Sequence, residues 1–459
     1  MSVFSLSNLK KTWYYLQKNG IRNAVWAVLE RIGQEQEVYT WQEPDEKTLS
    51  FQREHSASLR ISIVVPAYRT KKEHLEAMLN SVSKQSYPHW ELIVADAGGT
   101  AESVQAWAKK NGICLRKAAD ASNLAEWKDQ SIMLCTLSEN KGISANTNAG
   151  IELAAGDAVG LLDHDDLLTA NALWEMADCL EKEKKRGKQK LVLFSDEDKC
   201  DGAASRFYEP NFKPDFDGEL LLTNNYICHF TVIETAFLKE LKLRSGFDGA
   251  QDYDLMLRAY AAGGQFVHVP KVLYHWRCHE ASTASNPQSK RYAYEAGQRA
   301  LEDYCLRKGW KATVSGLKHL GFYREDYEDS VFCQRPEIGI WAKPLPGGRD
   351  IFGIRHPKGF LVSGLYENDG LMRYAGLRKG YSGPMHRAAL QQSAPAADLR
   401  SMEVCSALKE RYAQTIAELK EACQGLPTAA QEKKILQKSM EFCKEATAAG
   451  YGILWDPQA

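Results

Sequence analysis

The chain has 459 residues, of which 44% are apolar and 25% are charged, and its formal net charge is −1. This composition is typical of a soluble globular protein with two to three domains, and the charge balance gives no reason to expect a nucleic-acid partner. No apolar run approaches the length of a membrane span, and the N-terminus lacks the apolar stretch of a signal peptide. The 11 cysteines form no C-x-x-C pair, so we expect reduced thiols and a cytoplasmic location.

The first part of the chain is predicted to be helical and then irregular. Apolar residues recur at spacings of three to four, with Lys and Arg between them, which is typical of amphipathic helices. Two interpretations stay open: the helices pack on the neighbouring domain, or they lie on an anionic membrane surface as a peripheral contact. Residues 43–58 are polar and charged, which is typical of a linker.

From residue 60 onward, β-branched runs alternate with helix-like segments, and this order predicts a doubly wound, mostly parallel α/β sheet. Ligands of such sheets bind beyond the carboxyl ends of the strands. The predicted strands and helices alternate over residues 61–66, 72–85, 90–95, 102–111, 133–135, 142–155, 158–162, 170–183 and 191–194, with a later helix that ends at 262 and an extended stretch over 266–277.

Three carboxylates in four residues follow the strand over 158–162. Asp163, Asp165 and Asp166 repel one another, and burying them without a partner costs several kcal/mol, so we expect a cation between them. Asp163 and Asp165 are two residues apart at a strand end and are expected to point the same way. Oxygen donors suit a hard divalent ion such as Mg²⁺ or Mn²⁺ that bridges a nucleotide's phosphates. The alternative is an acidic turn that faces solvent.

Two familiar phosphate-binding motifs are missing from the sequence. There is no G-x-x-x-x-G-K-[ST] loop, and no G-x-G-x-x-G follows the first predicted strand. A nucleotide bound without either glycine loop would have its phosphates held by a metal.

Five motifs follow one another between residues 61 and 323. They are I-S-I-V-V-P-A-Y, E-L-I-V-A-D, N-K-G-I-S-A-N-T-N-A-G-I, G-L-L-D-H-D-D-L-L with S-D-E-D-K, and G-A-Q-D-Y-D-L-M-L-R-A with V-P-K-V-L-Y-H-W-R. In this order they closely resemble family 2 glycosyltransferases of the GT-A fold. The D-H-D-D cluster resembles a subgroup associated with bacterial surface polysaccharide synthesis. Each motif alone is a weak signal, and their order and spacing carry the resemblance.

The resemblance implies a nucleotide site at the carboxyl ends of the first strands. Asp96 would hydrogen-bond the pyrimidine ring, although the family's second Asp at this strand end is Ala97 here. Asp163 would face the ribose or the outer shell of the metal. The other residues that would line this site or close over the nucleotide are Pro66, Ala67, Tyr68, Asn140, Lys141 and Gly142.

The resemblance also implies the metal-binding and catalytic residues. Asp165 would bind Mn²⁺ or Mg²⁺ at the diphosphate, with His275 as a further ligand. Trp276 and Arg277 would contact the donor sugar and the diphosphate. Asp252 matches the acid of the family's Glu-Asp pair and would be the general base. A single displacement at the anomeric carbon would then invert its configuration.

Each of these roles has a structural alternative. Asp96 and Asp252 could cap the helices that follow them, and Asp254 is a rival base. Residues 195–199 could form a solvated, charged turn. Burial, packing or a surface ion pair are the alternatives for His275, Trp276 and Arg277.

The last part of the chain does not begin a fresh set of nucleotide-binding strands. Residues 336–345, 368–376 and 439–457 resemble the acceptor side of a second, truncated GT-A unit, with Ser439 where the first Asp would be. Such a unit would serve acceptor binding or assembly, and the alternative is an unrelated α+β appendage. The predicted division is a helical segment and linker over 1–59, a GT-A domain over 60–325, and a degenerate partial repeat over 326–459.

The sequence therefore predicts an inverting, metal-dependent glycosyltransferase of cell-surface polysaccharide synthesis. Its donor would be a UDP- or dTDP-sugar and its acceptor a glycan or a lipid-linked saccharide. A sugar-1-phosphate nucleotidyltransferase would carry a Gly-rich, Arg-containing loop after the first strand, where this chain has P-A-Y-R-T. A non-catalytic nucleotide- or glycan-binding scaffold is the second rival, against which Asp165, Asp252 and His275 argue.

Overall fold

The computed structural model describes residues 39–118, 128–278, 291–316, 321–342, 372–373, 402–422, 438 and 441–455. The chain divides into two compact units, Met1–Gln42 and Glu43–Ala459. The amphipathic helices predicted before residue 39 lie outside the described residues. Among the described helices, none is both long enough and apolar enough to cross a bilayer.

A large mixed sheet organises the second unit. Its strands are β1 (Ile61–Ala67), β2 (Trp90–Asp96), β3 (Cys114–Lys117), β4 (Ser131–Thr136), β5 (Ala158–Leu161), β6 (Leu167–Leu168), β7 (Leu191–Cys200), β8 (Phe207–Asn211), β9 (Thr231–Glu234) and β10 (Gln265–Arg277). Their order is β3-β4-β2-β1-β5-β9-β7-β10-β6, and β8 pairs with β7. The pairs among β1 to β5 are parallel, as is the pair of β7 with β10.

Helices cover both faces of this sheet. Ile61, Ile63 and Val65 of β1 belong to one apolar core and Val64 to the other, as the two-residue period of a strand requires. The described α-helices between residues 43 and 335 are α1 (Glu46–Glu54), α2 (Lys72–Ser83), α3 (Ala101–Asn111), α4 (Ile143–Leu153), α5 (Ala172–Lys185), α6 (Gly218–Thr223), α7 (Thr235–Leu241), α8 (Gln251–Ala261), α9 (Arg291–Arg307) and α10 (Val331–Gln334).

The predicted doubly wound α/β fold is confirmed, and the structure adds two antiparallel pairings to it. Strand β9 lies between β5 and β7 and runs antiparallel to both. Strand β6 pairs antiparallel with the end of β10. These short strands carry no periodic signal strong enough to predict from sequence, but they bring the ends of β5 and β10 together.

The polar stretch over 43–58 is not an irregular linker, and this expectation is wrong. Asp45 caps α1 by accepting a hydrogen bond from the Thr48 N–H at 2.8 Å. Gln52 of this helix is buried and hydrogen-bonds Ser86 and Glu175. Polar contacts, rather than an apolar stripe, therefore dock α1 on the domain.

Two small sheets follow the large one. A hairpin pairs β11 (Ala312–Gly316) with β12 (Tyr323–Tyr327). The C-terminal sheet has the order β14-β16-β13-β15, and a helix over 441–448 leads into its central strand β16. Parts of the predicted repeat, Ser439 among them, lie outside the described residues, so the repeat stays a prediction. The remaining elements are β13 (Ile338–Ala342), β14 (Met372–Arg373), β15 (Met402–Val404), α11 (Ser406–Arg411), α12 (Ala413–Ala422) and β16 (Gly452–Trp455).

Candidate functional site

The acidic cluster forms a tight turn at the carboxyl end of β5. The strand ends at Leu161, and the Asp166 N–H donates to the Asp163 carbonyl at 3.3 Å. The expectation that strand alternation aligns Asp163 with Asp165 is therefore wrong, because neither residue is in a strand. The turn nevertheless keeps the two carboxylates close enough for the charge of Asp165 to act on Asp163.

Asp166 anchors this turn to the last residues of β10. Its Oδ2 accepts from the Tyr274 hydroxyl at 2.6 Å, and its Oδ1 accepts from the Arg277 N–H at 2.7 Å. The side chain is 1% exposed. Burial, followed by the charges of Asp165 and Asp163, raises the pKa of Asp166 well above its usual range. One acid of the cluster is thus structural, and the binding of a ligand by Asp163 and Asp165 stays a prediction.

Arg277 contacts the same turn through its guanidinium group. Nε donates to the Asp165 carbonyl at 2.5 Å and Nη1 donates to the Gly202 carbonyl at 2.7 Å. The side chain is buried, so a surface ion pair is the wrong description. Within the described residues its Nη2 makes no hydrogen bond. Because an unpaired buried donor is costly, Nη2 is available to an anionic ligand.

His275 is buried beside the acid turn and is oriented by Asp198. His275 Nδ1 lies 2.5 Å from Asp198 Oδ1, and the imidazole packs on Phe207 with 4.2 Å between ring centroids. Asp198 comes from the S-D-E-D-K segment, which is an interior part of β7. The alternative of a solvated turn over 195–199 is therefore wrong.

The two predicted metal ligands approach each other through a strand pairing. His275 lies opposite Leu167, which is two residues after Asp165. A carboxylate on one ring nitrogen is the usual partner of a metal-bound histidine, because it fixes the ring for ligation through the other. Across the part of the chain that the structure describes, no group of three or more His, Cys, Asp or Glu residues forms a metal site. Two protein ligands fit a cation whose other ligands are phosphate oxygens and water.

Asp252 lies in the first turn of α8, and its charge acts on Asp163 of the acid turn. Its Oδ2 accepts from the Asn225 amide at 3.0 Å, and its Oδ1 accepts from the Tyr253 N–H at 2.8 Å. The N-cap of α8 is Ala250, so Asp252 is not the capping residue. At the position before it, where the family has Glu, Gln251 accepts from the Gly249 N–H at 2.8 Å.

The rival base Asp254 is committed to structure. Its carboxylate is 1% exposed and forms ion pairs with both Arg244 and Arg258. Because both cations and the burial restrain it, Asp254 cannot move a proton to solvent or substrate without breaking this network. The structure therefore leaves Asp252 as the acid of this helix that is open to a substrate.

The charges of neighbouring side chains affect the pKa of Asp163. Burial raises the pKa of Asp163, and the carboxylates of Asp165 and Asp252 raise it further. His229 and His164 act in the opposite direction. The charges of Asp165, Asp252, His229 and His164 therefore all act on Asp163.

The predicted nucleotide residues lie at neighbouring strand ends, as expected. Tyr68 is exposed directly after β1, following Pro66 and Ala67. Asp96 ends β2, but its carboxylate accepts hydrogen bonds from the N–H groups of Gly98, Thr100 and Ala101. The helix-capping alternative is thus present in the structure. Its contact with a pyrimidine ring stays a prediction.

The N-K-G loop before α4 is held by hydrogen bonds within residues 140–146 and by Asp248, which lies later in the chain. Asn140 Oδ1 accepts from the Gly142 N–H at 3.1 Å and from the Asn146 amide at 2.8 Å. Lys141 pairs with Glu139 at 3.2 Å. Gly142 has φ +96°, and a Cβ there would lie 2.3 Å from Asp248 Oδ2, so only glycine fits without displacement.

Sequence reasoning missed the residues that hold these groups in place. Asn225, Asp166 and Asp198 orient the predicted base, turn and histidine, respectively. Asp166 and Asp198 had a signal in the sequence, because they fall in the D-H-D-D and S-D-E-D-K motifs. What was absent was the pairing of strands distant in sequence. The other missed residues at the site are Lys213 and His229.

Comparisons with known proteins agree with this geometry. Residues 62–241 match the profile of "Glycosyl transferase family 2". The O-antigen biosynthesis protein RfbC of Myxococcus xanthus is 34% identical over 256 residues, covering 56% of this chain and 19% of RfbC. The amylovoran biosynthesis glycosyltransferase AmsB of Erwinia amylovora is 28% identical over 232 residues, covering 47% of this chain and 70% of AmsB. The chain thus spans about a fifth of the length of RfbC.

A solved structure with a similar outline is TarS 1-349 of S. aureus in complex with UDP-GlcNAc. It is 20% identical, covers 54% of this chain and 67% of that chain, and has a TM-score of 0.40. The segment that matches the glycosyltransferase profile lies in the mixed sheet with helices on both faces. Residues 62–241 are thus similar in sequence to glycosyl transferase family 2.

Proposed function

We propose that the chain transfers a sugar from a UDP- or dTDP-sugar to a hydroxyl group of a glycan or a lipid-linked saccharide during synthesis of a cell-surface polysaccharide. The observation that carries this proposal is that His275, held by Asp198, pairs opposite Leu167 beside the turn that contains Asp165, while Asp252 is partly exposed at the start of α8. A diphosphate at the acid turn and an acceptor at Asp252 would then meet at one anomeric carbon. Relatives such as RfbC and AmsB, named for O-antigen and amylovoran biosynthesis, support the polysaccharide class.

The chain's own residues divide the chemistry between two ends of the site. Asp252, held by Asn225, would accept the proton of the attacking hydroxyl and so make it a better nucleophile. Attack from the face opposite the diphosphate inverts the anomeric carbon. The Nη2 of Arg277 would donate to the departing diphosphate, whose negative charge grows as the bond breaks.

Asp165 and His275 would hold a divalent ion, Mn²⁺ or Mg²⁺, which supplies positive charge beside the leaving group when bound. Asp198 supports this role, because its carboxylate fixes the His275 ring. Asp163 would contact the ribose or the outer shell of the ion. We further propose that the enzyme works in the cytoplasm, with residues before 39 as a peripheral membrane contact.

A thermal-shift panel tests the proposal directly. UDP and dTDP are added to the wild type with Mn²⁺, Mg²⁺ or EDTA, and a nucleotide at 100 times its dissociation constant adds about 2.7 kcal/mol of stability. We expect a metal-dependent shift that disappears in Asp165→Ala. Asp178→Ala is the matched control, since Asp178 lies on α5 and only pairs with Lys182. No shift with any nucleotide contradicts the proposal, and a shift without donor turnover supports the scaffold alternative.

A further inference from the structure

His229 lies beside the acid turn, in the segment between α6 and β9, and the proposed mechanism gives it no role. Its ring packs on Tyr274, whose hydroxyl accepts from the Asp163 N–H at 3.4 Å. The imidazole therefore contacts a residue that also contacts the acid turn. His229 itself is half-buried, between the buried residues Ile227 and Phe230.

Two buried charged residues, Glu197 and Lys213, hydrogen-bond the backbone of His229. Its N–H donates to Glu197 Oε2 at 2.5 Å, and its carbonyl accepts from Lys213 Nζ. Lys213 is 1% exposed, and burial lowers its pKa. Lys213 also donates to the Ile227 carbonyl at 2.9 Å and lies 3.7 Å from Glu197. Burying such charges is costly, and here they hold the two peptide groups on either side of the His229 Cα.

Aromatic rings of β10 fix the orientation of the imidazole. The His229 ring stacks on Tyr274 with 5.0 Å between centroids and meets Trp276 edge-on at 6.3 Å. Tyr274 is the residue whose hydroxyl anchors Asp166, so the imidazole and the acid turn share one support. Within the described residues, the hydrogen bonds of His229 are those of its backbone with Glu197 and Lys213, and its ring nitrogens make none. A rigid support thus presents an uncommitted N–H donor.

Two other basic groups, Lys213 and Arg277, are already largely engaged. The Lys213 ammonium group donates to two backbone carbonyls, and Arg277 Nε and Nη1 donate to two others. A diphosphate, however, has many acceptor oxygens and is best held by several donors. We propose that His229 binds the diphosphate of the donor, donating an imidazole N–H to one of its oxygens. This inference rests on the proposed function and adds a catalytic residue to it.

The test measures nucleotide binding by His229→Phe, which keeps an aromatic ring for Tyr274 and Trp276 but has no N–H. We expect the dissociation constant of UDP, or of dTDP if that is the preferred base, to rise about ten- to a hundred-fold, as for loss of a hydrogen bond to a charged group. The affinity for the parent nucleoside, which has no diphosphate, stays unchanged. His229→Gln, which keeps an N–H donor, recovers part of the loss and also serves if the Phe variant does not fold.

His89→Phe is the matched control, because His89 lies before β2 at the opposite end of the strands and pairs with Asp129. Equal diphosphate affinity in His229→Phe and the wild type overturns the inference while the proposed function stands. Equal weakening of diphosphate and nucleoside also overturns it, since the ring would then only shape the pocket. A wild type that binds no nucleotide at all instead removes the proposed function.

Discussion

Asp252 and Asp254 are two residues apart on one helix, yet their surroundings give them different properties. Asp254 is enclosed by two guanidinium groups, whereas Asp252 receives one amide N–H from Asn225 and stays partly exposed. A general base needs a fixed direction and access to its substrate. The Asn225 amide provides the direction without the charge that would make Asp252 a weaker base.

Asn225→Ala is therefore expected to lower kcat about ten- to a hundred-fold, the cost of losing a hydrogen bond to a carboxylate. The KM for the donor stays close to the wild-type value, because the diphosphate end of the site is unchanged. Steady-state kinetics with varied donor measures both constants. Asn80→Ala on α2, where Asn80 contacts Trp107, is the control. An unchanged kcat in Asn225→Ala means that this amide does not position the base.

Among the elements, strand β10 contributes most to the site. Its last four residues are Tyr274, His275, Trp276 and Arg277, and β7 and β6 pair with it on either side. Alternation sends His275 towards Asp198 and Tyr274 towards Asp166. A single strand end thus connects the acid turn with the segment that carries His229.

Helices α6 and α10 are joined by a buried ion pair. Arg335, next to the end of α10, donates through Nη1 and Nη2 to both carboxylate oxygens of Glu219 on α6, at 2.6 and 2.5 Å. Both side chains are at most 3% exposed, and the guanidinium lies 4.6 Å from the centroid of Trp310. The predicted boundary between residues 325 and 326 falls before Arg335, so this pair connects the two predicted parts.

Arg335→Met is expected to destabilise the protein by about 3–5 kcal/mol, because it removes the cation that pairs with the buried Glu219 carboxylate. The double variant Arg335→Met, Glu219→Met recovers much of this loss, since two apolar groups replace the pair. Urea unfolding of the four proteins of this cycle measures the coupling. A double variant as unstable as the sum of the single variants contradicts the coupling.

For the whole molecule, the sequence predicted local elements better than their assembly. The strands over 61–66 and 90–95 and the helix between them follow from β-branched runs and helical spacing, and they occur where expected. The insertion of β9 between β5 and β7 could not be predicted, because four-residue strands have no distinctive period. The same limit hid His229 and Lys213, whose importance comes from contacts with β7 and β10.

The pH dependence of global stability is expected to report on Glu325 of β12. Burial, together with the nearby Glu219 carboxylate, raises the pKa of Glu325 from 4.5 to about 8. The folded state then binds more protons than the unfolded state between these values. Its contribution to stability is complete below pH 4.5 and is lost as the pH rises through 8, by up to about 1.4 kcal/mol per pH unit.

Unfolding free energies measured from pH 5 to 8 test this dependence. Glu325→Gln is expected to flatten the fall in stability, since a neutral amide replaces the titrating carboxyl group. Glu328→Gln, one residue after the end of β12 and without a resolved shift, keeps the wild-type slope. Parallel slopes for wild type and Glu325→Gln contradict the raised pKa.

The ion pair between Arg335 and Glu219 also bears on how such a chain can be recombined. A chimaera in which everything after residue 325 came from another protein would keep Glu219 but lose its partner Arg335. The incoming segment would need its own cation for Glu219, or a matching change at that position. Viable crossovers are therefore expected beyond Arg335, so that the catalytic domain and the first C-terminal residues are inherited together.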